Sequence, residues 1–318
     1  MLYQLSYRLE RAKDSGTSYV LPSPADSGVV LANHQVSETV VHLCRPISVL
    51  ALVLACSPAN RTAAPAARVV TINAADYAFE APDTIPAGLT TFRMVNAGRE
   101  PHQAVVAGTQ GKTFAELEAA LLREGPIPDW VTYPAGPGAV GGGDSSIVTG
   151  NVTPGNYLIL CFIPSPDGKP HVMKGMFRRL VVTPSLPPQP QNAVVVAEPK
   201  SDVTMTLSDY GFAPSTPLTA GPHTIRVENS GPQLHELAIE RLLRGKTVAD
   251  WQQWMIGGMR GAPPAEPAGG FVGPDSGKVG WLMITLKPGS YLLNCYVPDA
   301  KDGKPHYVHG MIQQITIN

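Results

Sequence analysis

A cysteine, a histidine and a methionine recur in the same order twice in this chain. The first set lies in Cys161-Phe-Ile-Pro-Ser-Pro-Asp-Gly-Lys-Pro-His171-Val-Met-Lys-Gly-Met176, and the second in Cys295-Tyr-Val-Pro-Asp-Ala-Lys-Asp-Gly-Lys-Pro-His306-Tyr-Val-His-Gly-Met311. In both, the methionine follows the histidine by five positions. Thiolate and thioether are soft donors; with two imidazoles they make up an electron-transferring copper site, the thioether serving as a weak axial ligand. Each set is therefore short of one imidazole, and in both it lies upstream. Met94-Val-Asn96-Ala-Gly-Arg-Glu-Pro-His102 parallels Val227-Glu-Asn229-Ser-Gly-Pro-Gln-Leu-His235, each histidine following a turn and opening an apolar run. The candidate ligands are His102, Cys161, His171 and Met176 for one copper, and His235, Cys295, His306 and Met311 for a second.

Taken singly, a histidine on an apolar strand is most often structural, and a buried cysteine behaves as a small hydrophobe. Core packing would likewise explain one methionine. Four ligand types recurring in matched order, while the sequence around them has drifted, point instead to metal binding. Tyr157-Leu-Ile-Leu-Cys161 and Tyr291-Leu-Leu-Asn-Cys295 read as strands that end on the thiol, which would hold the sulfur on a rigid element.

The repeat extends beyond the ligands. Asp76-Tyr-Ala-Phe79 aligns with Asp209-Tyr-Gly-Phe212, Asn96 with Asn229 and His102 with His235, all at an offset of 133. The offset is 134 at the cysteines and 135 at the later histidines and methionines, so two single-residue length changes separate the copies. A duplicated unit follows. Short strand-like runs punctuated by turns predict a β-sandwich in each copy. Each also has a helical insertion between its first histidine and its cysteine. Thr113-Phe-Ala-Glu116 reads as a capping box, with Phe114, Leu117 and Leu121 on one apolar face; Thr247-Val-Ala-Asp250 opens the counterpart, with Val248, Trp251 and Met255. Gly-Lys-Thr at 111–113 and 245–247 is no phosphate loop, because Val106 and Glu240 stand where that motif needs another glycine.

The chain has 318 residues, enough for two units with their own cores. Glycine (31) and proline (32) are abundant and charged residues make up only 15%, which suits a loop-rich all-β protein. A net charge of -1 leaves no basic excess to neutralise phosphates, which argues against a nucleic-acid partner. Cys44, Cys56, Cys161 and Cys295 place only one cysteine in each unit, so no disulfide framework exists within a unit. Residues 1–67 read as a leader, 68–183 as the first sandwich, 184–201 as a proline-rich linker and 202–318 as the second sandwich. Within the leader, Ile47-Ser-Val-Leu-Ala-Leu-Val-Leu-Ala55 precedes Cys56 and is too short to span a bilayer. A buried strand would also read this way. The polar tether Ser57-Pro-Ala-Asn-Arg-Thr-Ala-Ala-Pro that follows favours an export signal. The segment resembles the signal and lipobox of bacterial lipoproteins, although Leu54 departs from that pattern. Lipid on Cys56 would anchor the protein to a membrane, periplasmic or at the outer surface. A signal placed so late predicts that translation starts near Val40 or Val41.

The Asn-x4-Pro/Leu-His segments and the Cys…His-x4-Met loops resemble those of cupredoxins, the blue copper proteins. The resemblance covers residues 68–183 and 202–318. It implies an all-β fold of two tandem Greek-key sandwiches, type 1-like copper sites, one-electron transfer and a redox partner protein, with His171 and His306 as electron gateways. The long Cys-to-His loop departs from plastocyanin and approaches that of copper nitrite reductases. Two-domain cupredoxins also include nitrite reductases and small laccases. Those enzymes need further histidines, one immediately before the cysteine, where this chain has Leu160 and Asn294. Of its 8 histidines, His34 and His42 lie in the leader and four serve the two sites, leaving His223 and His309. A third reading is a copper carrier or metal-free binding module that transfers no electrons.

Overall fold

A computed structural model describes residues 67–122, 128–185 and 196–318. The proposed leader signal, Cys44, Cys56 and most of the proline-rich linker lie outside the described residues.

The first half runs β1 (Arg68–Ala75), β2 (Ala78–Glu80), β3 (Thr84–Pro86), β4 (Gly88–Asn96), β5 (Val105–Thr109), α1 (Phe114–Leu122), β6 (Val131–Thr132), β7 (Gly136–Pro137), β8 (Ser145–Val152), β9 (Gly155–Leu160) and β10 (Phe177–Thr183). The second half repeats the order, without separate counterparts of β3 and β6, as β11 (Val203–Ser208), β12 (Gly211–Pro214), β13 (Gly221–Asn229), β14 (Glu236–Leu242), α2 (Val248–Ile256), β15 (Ala265–Val272), β16 (Val279–Leu286), β17 (Gly289–Asn294) and β18 (Ile312–Ile317). Strand alternation sets what each strand buries. In β1, Val70, Ile72 and Ala74 point inward; in β11, Val203, Met205 and Leu207 do the same. Both halves are two-layer all-β sandwiches, the fold class expected from the sequence. The first strand of each lies parallel to its neighbour, β1 to β4 and β11 to β13.

Both helical insertions form as expected. Thr113 Oγ1 accepts the Glu116 backbone N–H at 3.2 Å while Glu116 Oε2 accepts the Thr113 N–H at 2.8 Å, and Thr247 with Asp250 does the same for α2. Leu117, Leu121 and Trp251 are buried by these helices. No helix among the described residues is long and apolar enough to cross a membrane.

Sequence reading placed two sandwiches on either side of a linker. The structure also runs one sheet through both: β8 pairs with β16, joining eight strands in the order β12-β11-β13-β16-β8-β4-β1-β2. The short β7 of the first half pairs with β15 of the second. Val148 stands opposite Leu282 and Pro137 opposite Phe271. Both pairs are 134 residues apart, the offset that relates the two cysteines. An antiparallel pair in which a residue faces its own equivalent needs a local two-fold axis. The halves are thus related by a pseudo-two-fold that passes through both contacts, and a single apolar core draws on residues of both.

Candidate metal centre

Each histidine of the first segment is set by the asparagine before it. Asn96 closes the turn after β4: its Oδ1 accepts the Gly98 N–H at 2.9 Å, and its Nδ2 donates to the carbonyls of Glu100 (2.9 Å) and Val140 (3.0 Å). The His102 backbone then exchanges two hydrogen bonds with Val140, at 3.1 and 3.0 Å. Asn229 holds the second copy through Gly231, Gln233 and Pro274.

The cysteines follow the last residues of β9 and β17. Past each thiol the chain loops out and returns as a 3-10 turn, His171–Lys174 or His306–His309, entered from a proline. Val172 N–H donates to the Cys161 carbonyl at 2.8 Å, and Tyr307 N–H to that of Cys295 at 3.0 Å. Gly175 (φ 97°) and Gly310 (φ 102°) end the turns in the left-handed region, where a side chain would be strained. That reversal lets the Met176 N–H reach the His171 carbonyl at 3.0 Å and the Met176 carbonyl accept from the Cys161 N–H at 3.3 Å. Met311 repeats both contacts. Met176 and Met311 are fully buried in the core that includes the two cysteines.

The structure brings His102, Cys161 and His171 together, and separately His235, Cys295 and His306; within each group the donor atoms lie within 4.8 Å of one another. In the first, the two Nδ1 atoms are 3.0 Å apart, and Cys161 Sγ lies 3.4 Å from His171 Nδ1 and 4.0 Å from His102 Nδ1. In the second, the Nδ1 atoms are again 3.0 Å apart and Cys295 Sγ is 3.4 Å from His306 Nδ1. All six side chains are fully buried.

The outer ring nitrogens explain why the Nδ1 atoms face inward. His102 Nε2 meets Asp76 Oδ1 at 3.1 Å, His171 Nε2 meets Glu100 Oε2 at 2.8 Å, and His235 Nε2 meets Asp209 Oδ1 at 2.7 Å. A carboxylate only accepts, so in these three rings Nε2 carries the proton and Nδ1 offers its lone pair to the thiol side. Two lone pairs and a sulfur converging in a dry space call for a cation, and the soft, borderline character of the set fits copper.

Burial pushes the pKa of His102, His171 and His235 below the usual 6.5, against the pull of their carboxylates, and takes His306 down to about 4. The imidazoles are therefore neutral and ready to ligate at neutral pH. Burial pushes the Cys161 thiol up to about 12 and raises Cys295 as well, so metal binding must displace a proton from each. One consequence is measurable in the metal-free protein. Histidines with depressed folded pKa values add stability that is complete above their unfolded value near 6.5 and is lost as pH falls through the folded values. Urea midpoints are expected to be flat above about pH 7 and to fall steadily between about pH 6 and 4; a midpoint unchanged across that window would contradict the burial of these rings.

His171 and His306 are buried, with Tyr77 and Tyr210 packed edge-on against them at 5.2 and 5.3 Å between ring centroids. Both rings are thus covered by a tyrosine. Leu160 belongs to the apolar cluster under α1, while Asn294 donates to Glu240 Oε1 at 3.0 Å. His223 is paired with Asp202 and Thr219. His309 lies 3.1 Å from Asp302 in a partly exposed group with Asp299, whose carboxylate already accepts from Tyr210 and Gln233. The residues that sequence reading missed are Asp76, Asp209, Glu100, Tyr77 and Tyr210. Four of them stand in the repeated Asp-Tyr-x-Phe segment, which marked the duplication without revealing its work.

No protein-family model matches the sequence, and no curated protein matches it. Among solved structures, auracyanin from Roseiflexus castenholzii aligns at 24% identity over 37% of this chain and 99% of its own, with a TM-score of 0.26. Auracyanin A from Chloroflexus aurantiacus, described as a "blue" copper protein, aligns at 23% over 36% and 99%, TM-score 0.26. A copper-containing nitrite reductase from Thermus scotoductus aligns at 14% over 80% of this chain and 62% of its own, TM-score 0.23. By its own strand order and repeated clusters, the chain is a pair of all-β sandwiches, each enclosing one buried histidine–cysteine–histidine cluster.

Proposed function

We propose that this protein binds two copper ions, one in each half, and passes single electrons. The observation that supports this reading is the paired arrangement itself: two buried sets of two Nδ1 atoms and one Sγ, each drawn from one half alone. His102, Cys161 and His171 would hold the first ion and His235, Cys295 and His306 the second, with Met176 and Met311 as the thioether donors of each. Copper so held supplies a one-electron couple. The chain's own part is to exclude water, to keep the Nδ1 atoms aimed through Asp76, Glu100 and Asp209, and to fix each sulfur between two backbone hydrogen bonds. A cluster clasped in this way changes little between oxidation states, which suits fast electron exchange.

A redox partner protein is part of this proposal, as is export with a lipid on Cys56. Both rest on the sequence, and mass spectrometry of the mature protein tests the anchor: an intact Met1 in soluble cytoplasm would sink it. The copper reading is tested by titrating reduced, metal-free protein with copper. Two equivalents per chain should bind, with an intense visible sulfur-to-copper band growing to a plateau at the second. Binding without colour would favour a carrier, and turnover of nitrite or a phenolic substrate would favour an enzyme.

A further inference from the structure

The two centres differ in what the chain sets on the outer nitrogen of the second histidine. In the first half Glu100 Oε2 takes that position at 2.8 Å from His171 Nε2, and its other oxygen accepts the Tyr77 hydroxyl at 2.7 Å. The equivalent residue, 133 positions on, is Gln233. It has no charge to offer, and its amide turns to Asp209 (3.2 Å) and Asp299 (3.0 Å) instead. His306 Nε2 is buried with no hydrogen-bond partner. Asp299 Oδ2 lies 3.9 Å from it and already accepts from the Tyr210 hydroxyl at 2.5 Å and from Gln233. The first histidines of the two centres, by contrast, are matched, each with an aspartate on Nε2.

A carboxylate that accepts from a ligand imidazole makes the opposite nitrogen a stronger donor and adds a negative charge close by. Both effects favour the oxidised, more highly charged ion over the reduced one. We infer that Glu100 makes the centres unequal, giving the first the lower reduction potential, so that a single electron on the pair resides on the second. The inference rests on the copper reading above. Transfer from reduced first centre to oxidised second centre exchanges Cu(I) and Cu(II) and makes or breaks no bond. Three nearby charges oppose it and are each muted. The Asp299 carboxylate is spent on the Tyr210 hydroxyl and the Gln233 amide and makes no hydrogen bond to His306. Lys174, beside Tyr77, is paired with Asp167 at 3.1 Å. Glu236, beside Cys295 where the first half has Gln103, turns its Oε1 to the Tyr296 backbone N–H at 2.8 Å.

Spectroelectrochemical titration of the copper-loaded full chain tests this. Two one-electron waves are expected, separated by at least the 59 mV that corresponds to a tenfold preference. The lower wave should be the one missing from Cys161→Ser. Glu100→Gln keeps the size and removes the charge, and should raise the lower wave by about a tenfold change in the oxidised-to-reduced ratio, leaving the upper one in place. Gln233→Glu should lower the upper wave. A role of Glu100 confined to folding would leave both waves where they are. Coincident waves, the reverse order, or a lower wave unmoved in Glu100→Gln would overturn the inference and leave the copper reading standing. Absence of any sulfur-to-copper band in the wild type would overturn the copper reading, and this inference with it.

Discussion

Cys161→Ser is expected to remove about half of the visible sulfur-to-copper absorption and one of two bound coppers, leaving the second centre unchanged; Cys295→Ser should do the converse. The first thiol lies within 4.0 Å of both His102 and His171. The second serves a separate group made of His235 and His306. Neither cluster borrows a donor from the other half, so loss of one soft ligand has no direct route to the other. Serine is close in size, but its hydroxyl is a harder and far less readily ionised donor, and a charge-transfer band of this kind needs the thiolate. Both cysteines are free in the structure, which also sets aside a bridge between Cys161 and Cys295. Copper titration of wild type and both variants after reduction provides the measurement. One copper per wild-type chain, or complete loss of colour in either single variant, would overturn the two-centre reading.

Phe271→Ala is expected to cost about 3–5 kcal/mol, because it empties a fully buried aromatic position. The ring packs under Gly280, where an added Cβ would meet its Cζ at 2.2 Å. Its backbone pairs with Pro137 on the pseudo-two-fold. Beside it, Gly138 approaches Gly270 so closely that a Cβ would sit 2.6 Å from the Gly270 Cα. Loss at this point should therefore loosen both halves together. Urea unfolding of the wild type should show one cooperative transition, since β8 and β16 share a sheet and one core serves both halves. Two well-separated wild-type transitions, with Phe271→Ala shifting only the second, would show that the halves behave as independent domains.

The sequence by itself determined the duplication, the all-β class and the six donors that the fold gathers, because the same ligand types recur in the same order at nearly constant offset in both halves. It also disclosed both capping boxes, since Thr113 with Glu116 and Thr247 with Asp250 act within one turn. Three things were decided only by tertiary structure. The joining of β8 to β16 depends on two strands meeting edge to edge across a long separation, and alternation within a strand says nothing about its neighbour. The cover over His171 and His306 comes from Tyr77 and Tyr210, which are 94 and 96 residues away in the chain. The outer carboxylates are likewise remote from the rings they orient, Asp76 from His102 and Glu100 from His171. A hydrogen bond depends on distances of a few tenths of an ångström, and those are set by how the layers pack. Position 100 against position 233 was visible as a single Glu-to-Gln difference; only the fold put the glutamate on a ligand histidine.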